Sequence, residues 1–67
     1  DDDEIRIVRT KSLGIKPIVP EDACIQMELL GHRLFRFLLN AETDEVNVVY
    51  KRKDGSFGLI EPEFSLN

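Results

Sequence analysis

Apolar and polar positions along this chain fall into five blocks separated by turn-forming residues. In residues 5–12, Ile5, Ile7 and Val8 are β-branched while Arg6, Arg9 and Lys11 are polar, a pattern that predicts a strand. Gly14 and Pro17 then break it. Pro20 suits a first helical position, and Glu21 and Asp22 set negative charge against a helix N-terminus. Gly31 reads as the stop, so the helix is residues 20–30. At 100° per residue, Ala23, Cys24, Met27 and Leu30 form one apolar stripe suited to packing on a sheet. Ile25 and Leu29 lie together on the opposite side among acids, where they are either scattered surface hydrophobes or a second contact surface.

Residues 34–39 form the second predicted strand, with Phe35, Phe37 and Leu39 alternating with Leu34, Arg36 and Leu38. A polar turn at residues 40–45 leads to a third strand, residues 46–52, with Val46, Val48 and Tyr50 on one face. Asp54-Gly55 supplies what a two-residue type I′ hairpin requires. Residues 57–60 are the returning strand, and Pro62 ends it. The predicted fold class is α+β, in the order β-α-β-β-β, an antiparallel sheet with one helix on a face. One short helix can shield only one face. Phe35, Phe37, Val48, Tyr50, Phe57 and Leu59 are expected to fill it, leaving Leu34, Leu38, Val49 and Ile60 facing water or another chain. An apolar patch of that size on a small domain marks an interface.

Size sharpens this point. A single domain of 67 residues buries too little surface to be comfortably stable alone. Cys24 is the sole cysteine, which excludes an internal disulfide and nearly excludes a thiolate zinc site. Association with another chain is the remaining remedy. The formal charge of −4 is accounted for by residues 1–4, an acidic block that reads as a linker end. The other residues carry nine acids against nine bases, so no net basic surface favours non-specific nucleic-acid binding. The acidic opening without an initiating Met points to a domain excised from a longer chain. A free thiol and the lack of a signal pattern or an apolar span point to a reducing interior and no membrane partner.

Candidate chemistry is sparse. His32 lacks the nucleophile or orienting carboxylate of a catalytic base, and capping the helix end is its simpler role. Cys24 falls on the buried stripe as a small hydrophobe. Glu42, Asp44 and Glu45 resemble half a cation loop without its spacing or glycine. No catalytic residue, metal site, cofactor motif or small-molecule substrate is expected. Lys51-Arg52-Lys53, joined by Arg9 and Lys11 if their strands are neighbours, could contact RNA phosphates or simply solvate a hairpin edge.

Several segments carry a family resemblance: Ile7-Val8-Arg9-Thr10-Lys11, Lys16-Pro17, Gln26-Met27-Glu28-Leu29-Leu30-Gly31-His32, Asn40-Ala41-Glu42-Thr43, residues 47–55 and Gly58-Leu59-Ile60-Glu61-Pro62. In this order they resemble the C-terminal domain of the long-form ribosome hibernation promoting factors of bacteria and plastids. The resemblance implies a non-enzymatic, homodimeric module at the end of a linker, in the cytoplasm or the plastid stroma. In that family an N-terminal domain occupies the small ribosomal subunit, and pairing of the C-terminal domains joins two inactive ribosomes into a 100S particle. It also implies a pairing surface on the sheet, with the aromatic strand central, expected among Phe35, Phe37, Val48, Tyr50, Phe57 and Leu59. Leu34-Phe35-Arg36-Phe37 departs from the family's Phe-Phe-x-Phe, and Gly14 and Ile18 stand where a polar residue and Met are usual. The strand is one residue longer than usual, so a bulge or a longer turn is expected.

Overall fold

The computed structural model describes residues 4–31 and 33–65. Four strands and one helix are present: β1 (Pro17–Ile18), α1 (Pro20–Leu30), β2 (Phe35–Asn40), β3 (Val46–Lys51) and β4 (Phe57–Ile60). The sheet order is β1-β2-β3-β4. The β-α-β-β-β order holds, with two corrections. The first strand is not residues 5–12, which are exposed and pair with no strand, but Pro17–Ile18, just ahead of the helix. Because α1 carries the chain back to the end from which β1 started, β1 pairs parallel to β2 and the sheet is mixed rather than antiparallel. Pro17 lacks an N–H and is tolerated because β1 is an edge strand.

The helix has the predicted bounds. Val19 precedes it without a side-chain cap, Pro20 takes the first turn beside Glu21 and Asp22, and Gly31 closes it at φ 74°. The Gly31 N–H donates to the Met27 carbonyl at 3.0 Å. That left-handed geometry is the reason for glycine here.

The first connection lies at residues 40–45 as the sequence predicts, and the second differs in its turn type. At the second, Gly55 N–H donates to the Arg52 carbonyl and Arg52 N–H to the Ser56 carbonyl. Only Gly55 takes positive φ, at 90°. Asp54 does not, so the connection is a three-residue loop closed by a glycine bulge instead of a type I′ turn. At the first, Asp44 N–H donates to the Asn40 carbonyl at 2.8 Å and Asp44 itself is left-handed, φ 59°. The β2–β3 ladder runs unbroken from Phe35↔Tyr50 to Leu39↔Val46, so the additional residue of this strand makes no bulge.

The core lies between α1 and one sheet face: Ala23, Met27, Leu38 and Val49 are buried, with Ile18, Cys24 and Phe57 packed against them. Leu30, on the predicted helix stripe, is half-exposed. This reverses the expected sheet facing. Leu38 and Val49 lie under the helix, and Phe35, Phe37, Val48 and Tyr50 share the opposite face. The core assignment predicts that Leu38→Ala costs about 2–5 kcal/mol. Leu29→Ala, on the exposed helix side, should stay within about 0.5 kcal/mol. Urea unfolding followed by circular dichroism measures both, and equal losses would place the core elsewhere.

Candidate functional site

Register fixes which side chains share a face, because neighbours along a strand point to opposite sides. Phe35↔Tyr50↔Gly58, Phe37↔Val48↔Ile60 and Leu39↔Val46 form the face away from the helix. No charged or amide side chain stands on it. The helix-covered face, by contrast, includes Arg36, Asn40, Asn47 and Lys51 beside Leu38, Val49, Phe57 and Leu59. Its polar groups are engaged. Arg36 donates to Gln26 of α1, Lys51 Nζ sits 3.3 Å from Glu28 Oε2, and Asn40 Nδ2 donates to Asn47 Oδ1 at 2.7 Å. The exception is Asn47 Nδ2, buried without a partner.

The open face therefore carries apolar side chains and one polar group, the Tyr50 hydroxyl, and among the described residues no helix packs over it. Phe35 is 57% exposed, Phe37 51%, Val46 54% and Ile60 54%. The Phe35 and Phe37 rings meet edge to face with centroids 5.8 Å apart. Edge-to-face pairs of this kind contribute about 0.5–1.5 kcal/mol beyond the area they bury. The Tyr50 ring lies over Gly58 so closely that a Cβ there would overlap it. Glycine at this cross-strand position is what lets the ring lie flat on the sheet.

Of the residues expected at a pairing surface, Phe35, Phe37, Val48 and Tyr50 are brought together. Phe57 and Leu59 are not: they stand on the helix side, where they line a shallow hollow with Pro20, Glu21, Cys24 and Val49. Val46, Leu39 and Ile60 also belong to the open face: the alternation already sets Leu39 with Phe35 and Phe37 and Val46 with Val48 and Tyr50, but none of the three stands in the expected pairing set. Their signal was the parity they share with Phe37 and Val48 once the register is fixed.

The basic residues do not form one patch. β3 lies between β2 and β4, so Arg9 and Lys11 are on no strand beside it. Lys51 is paired with Glu28, and Arg52 and Lys53 are exposed at the hairpin. There Asp54 accepts hydrogen bonds from the Ser56 hydroxyl at 2.5 Å and its N–H at 2.9 Å. The Ser56 hydroxyl first, then the backbone, holds the Asp54 carboxyl below its usual range. Glu42, Asp44 and Glu45 build the first turn, where Glu42 N–H donates to Asn40 Oδ1 and Glu45 N–H to Thr43 Oγ1. No cluster of three or more metal-ligating side chains occurs among the described residues. His32 lies outside the described residues.

Cys24 is half-buried. Burial, and secondarily the Glu21 carboxylate, pushes its thiol pKa up. The thiolate is the reactive form, so at pH 8 alkylation of Cys24 should be slower than that of a free cysteine and accelerate as pH rises. A rate equal to or above that of the free amino acid would show the thiol to be activated.

These features define a small mixed α+β domain whose most apolar sheet face is left uncovered. The chain belongs to the family described as Sigma 54 modulation/S30EA ribosomal protein C terminus, which matches residues 2–59. It is 51% identical over 61 residues to a ribosome hibernation promotion factor of Staphylococcus aureus (strain COL), and 50% identical over 62 residues to one of Bacillus subtilis (strain 168). Those alignments cover 91% and 92% of this chain but 32% of each relative. The chain thus spans about a third of the proteins it matches.

Proposed function

We propose that this domain is the self-pairing module of a ribosome hibernation factor. Two copies associate through their open sheet faces and thereby join two inactive ribosomes by their small subunits, contributing to translational silencing. One observation carries the pairing: the face without a cover has eight apolar or glycine positions, while the covered face holds four polar ones. A monomer would gain more by covering the apolar face. The ribosomal half of the reading rests on the names of the relatives and on the family.

A two-fold dimer brings the same patch from each copy together, so Phe35, Phe37, Val48 and Tyr50 would meet their own counterparts or neighbours. Aromatic residues at the centre of such a patch are the usual anchors. Phe57 and Leu59, facing the helix, would act through the fold rather than at the contact. No chemistry is required of any residue, in keeping with a factor that works by bringing particles together.

Phe37→Ala or Tyr50→Ala should weaken pairing by about 2–4 kcal/mol in sedimentation equilibrium. Tyr50 is the only tyrosine and no tryptophan is present, so intrinsic fluorescence gives a second readout from the face itself. Persistence of full dimers in both variants at nanomolar concentration would rule out this surface. The exposed Arg52 and Lys53 favour a second reading, direct contact with ribosomal RNA. It predicts binding that falls steeply with salt and is lost when Lys51, Arg52 and Lys53 are all Ala. Unchanged ribosome binding by that triple variant would dismiss it.

A further inference from the structure

The loop between β3 and β4 carries chemistry that the open face does not use. Asp54 is the only aspartate or asparagine in the chain that is followed by glycine. Glycine has no side chain to keep its backbone nitrogen away from the carboxyl carbon of the residue before it. The loop is exposed to water throughout residues 52–56. A bulkier residue cannot stand in for Gly55, which closes the bulge at φ 90°. The turn therefore requires the very residue that makes Asp54 reactive.

The reaction open to this pair needs only water. The Gly55 nitrogen gives up its proton and bonds to Asp54 Cγ, while the carboxyl hydroxyl departs with that proton as water. The product is a five-membered succinimide. Water then breaks one of the two C–N bonds of the ring. Cleavage at Cγ restores aspartate, and cleavage at the main-chain carbonyl carbon leaves the chain running through Cγ as isoaspartate. One water is lost and one gained, with no change of oxidation state.

The loop restrains both partners. Asp54 Oδ1 accepts hydrogen bonds from the Ser56 hydroxyl at 2.5 Å and the Ser56 N–H at 2.9 Å. These hold the carboxyl ionised, and an ionised carboxyl has no hydroxyl to lose. The Gly55 N–H donates to the Arg52 carbonyl at 3.0 Å, which engages the proton that the nitrogen must give up. Isomerisation would also add one carbon to the main chain between Arg52 and Ser56, whose N–H to carbonyl bond of 2.7 Å closes the loop. β4 has four residues and is held by β3 alone. It cannot slide to absorb the change, because a slip of one residue would set Phe57 or Leu59 under the Tyr50 ring, where a Cβ does not fit.

We propose that Asp54 is an isoaspartate-forming site restrained by Ser56, and that its isomerisation releases β4 from the sheet. The test stores the whole chain at neutral pH and distinguishes aspartate from isoaspartate by electron-transfer fragmentation of its peptides. Isoaspartate should accumulate at Asp54, and Asp54→Glu, whose side chain is too long for the five-membered ring, should abolish it. Ser56→Ala should raise the rate about threefold or more, since the hydroxyl bond to a charged group is lost. Ser56→Thr keeps the hydroxyl and should return the rate to that of the native chain. In isotope-labelled stored protein, NOEs between the Tyr50 ring and the Gly58 α-protons should vanish in the isoaspartate form, while those between β2 and β3 persist. An unchanged rate in Ser56→Ala would overturn the restraint. An isoaspartate form that keeps the Tyr50–Gly58 NOEs would overturn the release of β4. Both readouts are independent of whether two copies pair.

Discussion

The structure depends on how one eleven-residue helix is spent on a sheet with two usable faces. A helix of this length covers one face of three strands and no more. Here it covers the face holding Arg36, Asn40, Asn47 and Lys51, not the face holding Phe35, Phe37, Val48 and Tyr50. The choice is made specific by polar contacts, since Gln26 meets Arg36 and Glu28 meets Lys51 along the helix–sheet seam. An exposed ion pair of this sort contributes little stability by itself. Its effect is on facing, because Arg and Lys stems lie along the sheet and their heads find partners only when the helix sits on that side.

Local signals in the sequence are legible because they act over one turn. Pro20, Glu21, Asp22 and Gly31 delimit the helix, and β4 has the predicted limits. The facing of the sheet was not legible for a physical reason. Alternation gives the two sets of side chains but not which set the helix selects, and in a lone chain the more apolar set is the natural choice. Phe57 and Leu59 were grouped with the aromatic face although the loop at residues 53–55 puts them opposite Lys51 and Val49. A glycine bulge adds a residue to the hairpin connection and so shifts the parity of everything after it. Residues 5–12 have strand composition and no strand to join, so propensity alone misplaced the first strand.

The same division of faces keeps charged side chains off the open side of the sheet. Asp54 sits at a turn, and Lys51 is tied to the helix. Burial, and then the Glu21 carboxylate, raises the Cys24 thiol pKa. The aromatic face has no hydrogen-bonding group except the Tyr50 hydroxyl, and a surface of that kind recognises shape and apolar area. It is suited to a protein surface equally apolar, and a second copy of the chain is the one such surface guaranteed to be present.

Self-pairing of this kind also changes what stability means for the domain. Ala23, Met27, Leu38 and Val49 make a small core, and the larger apolar group lies outside it. Under the proposed pairing, that outer group becomes the second half of the core, so folding and association share one free energy and both depend on protomer concentration. Attachment to a large particle through a linker would then set the effective concentration at which the two halves meet. A domain stable on its own would need no partner, and one with a polar open face could find none. Under the proposed pairing, the inverted distribution of polar residues, four under the helix and none outside, is the arrangement in which a chain this small completes its core by meeting a second copy.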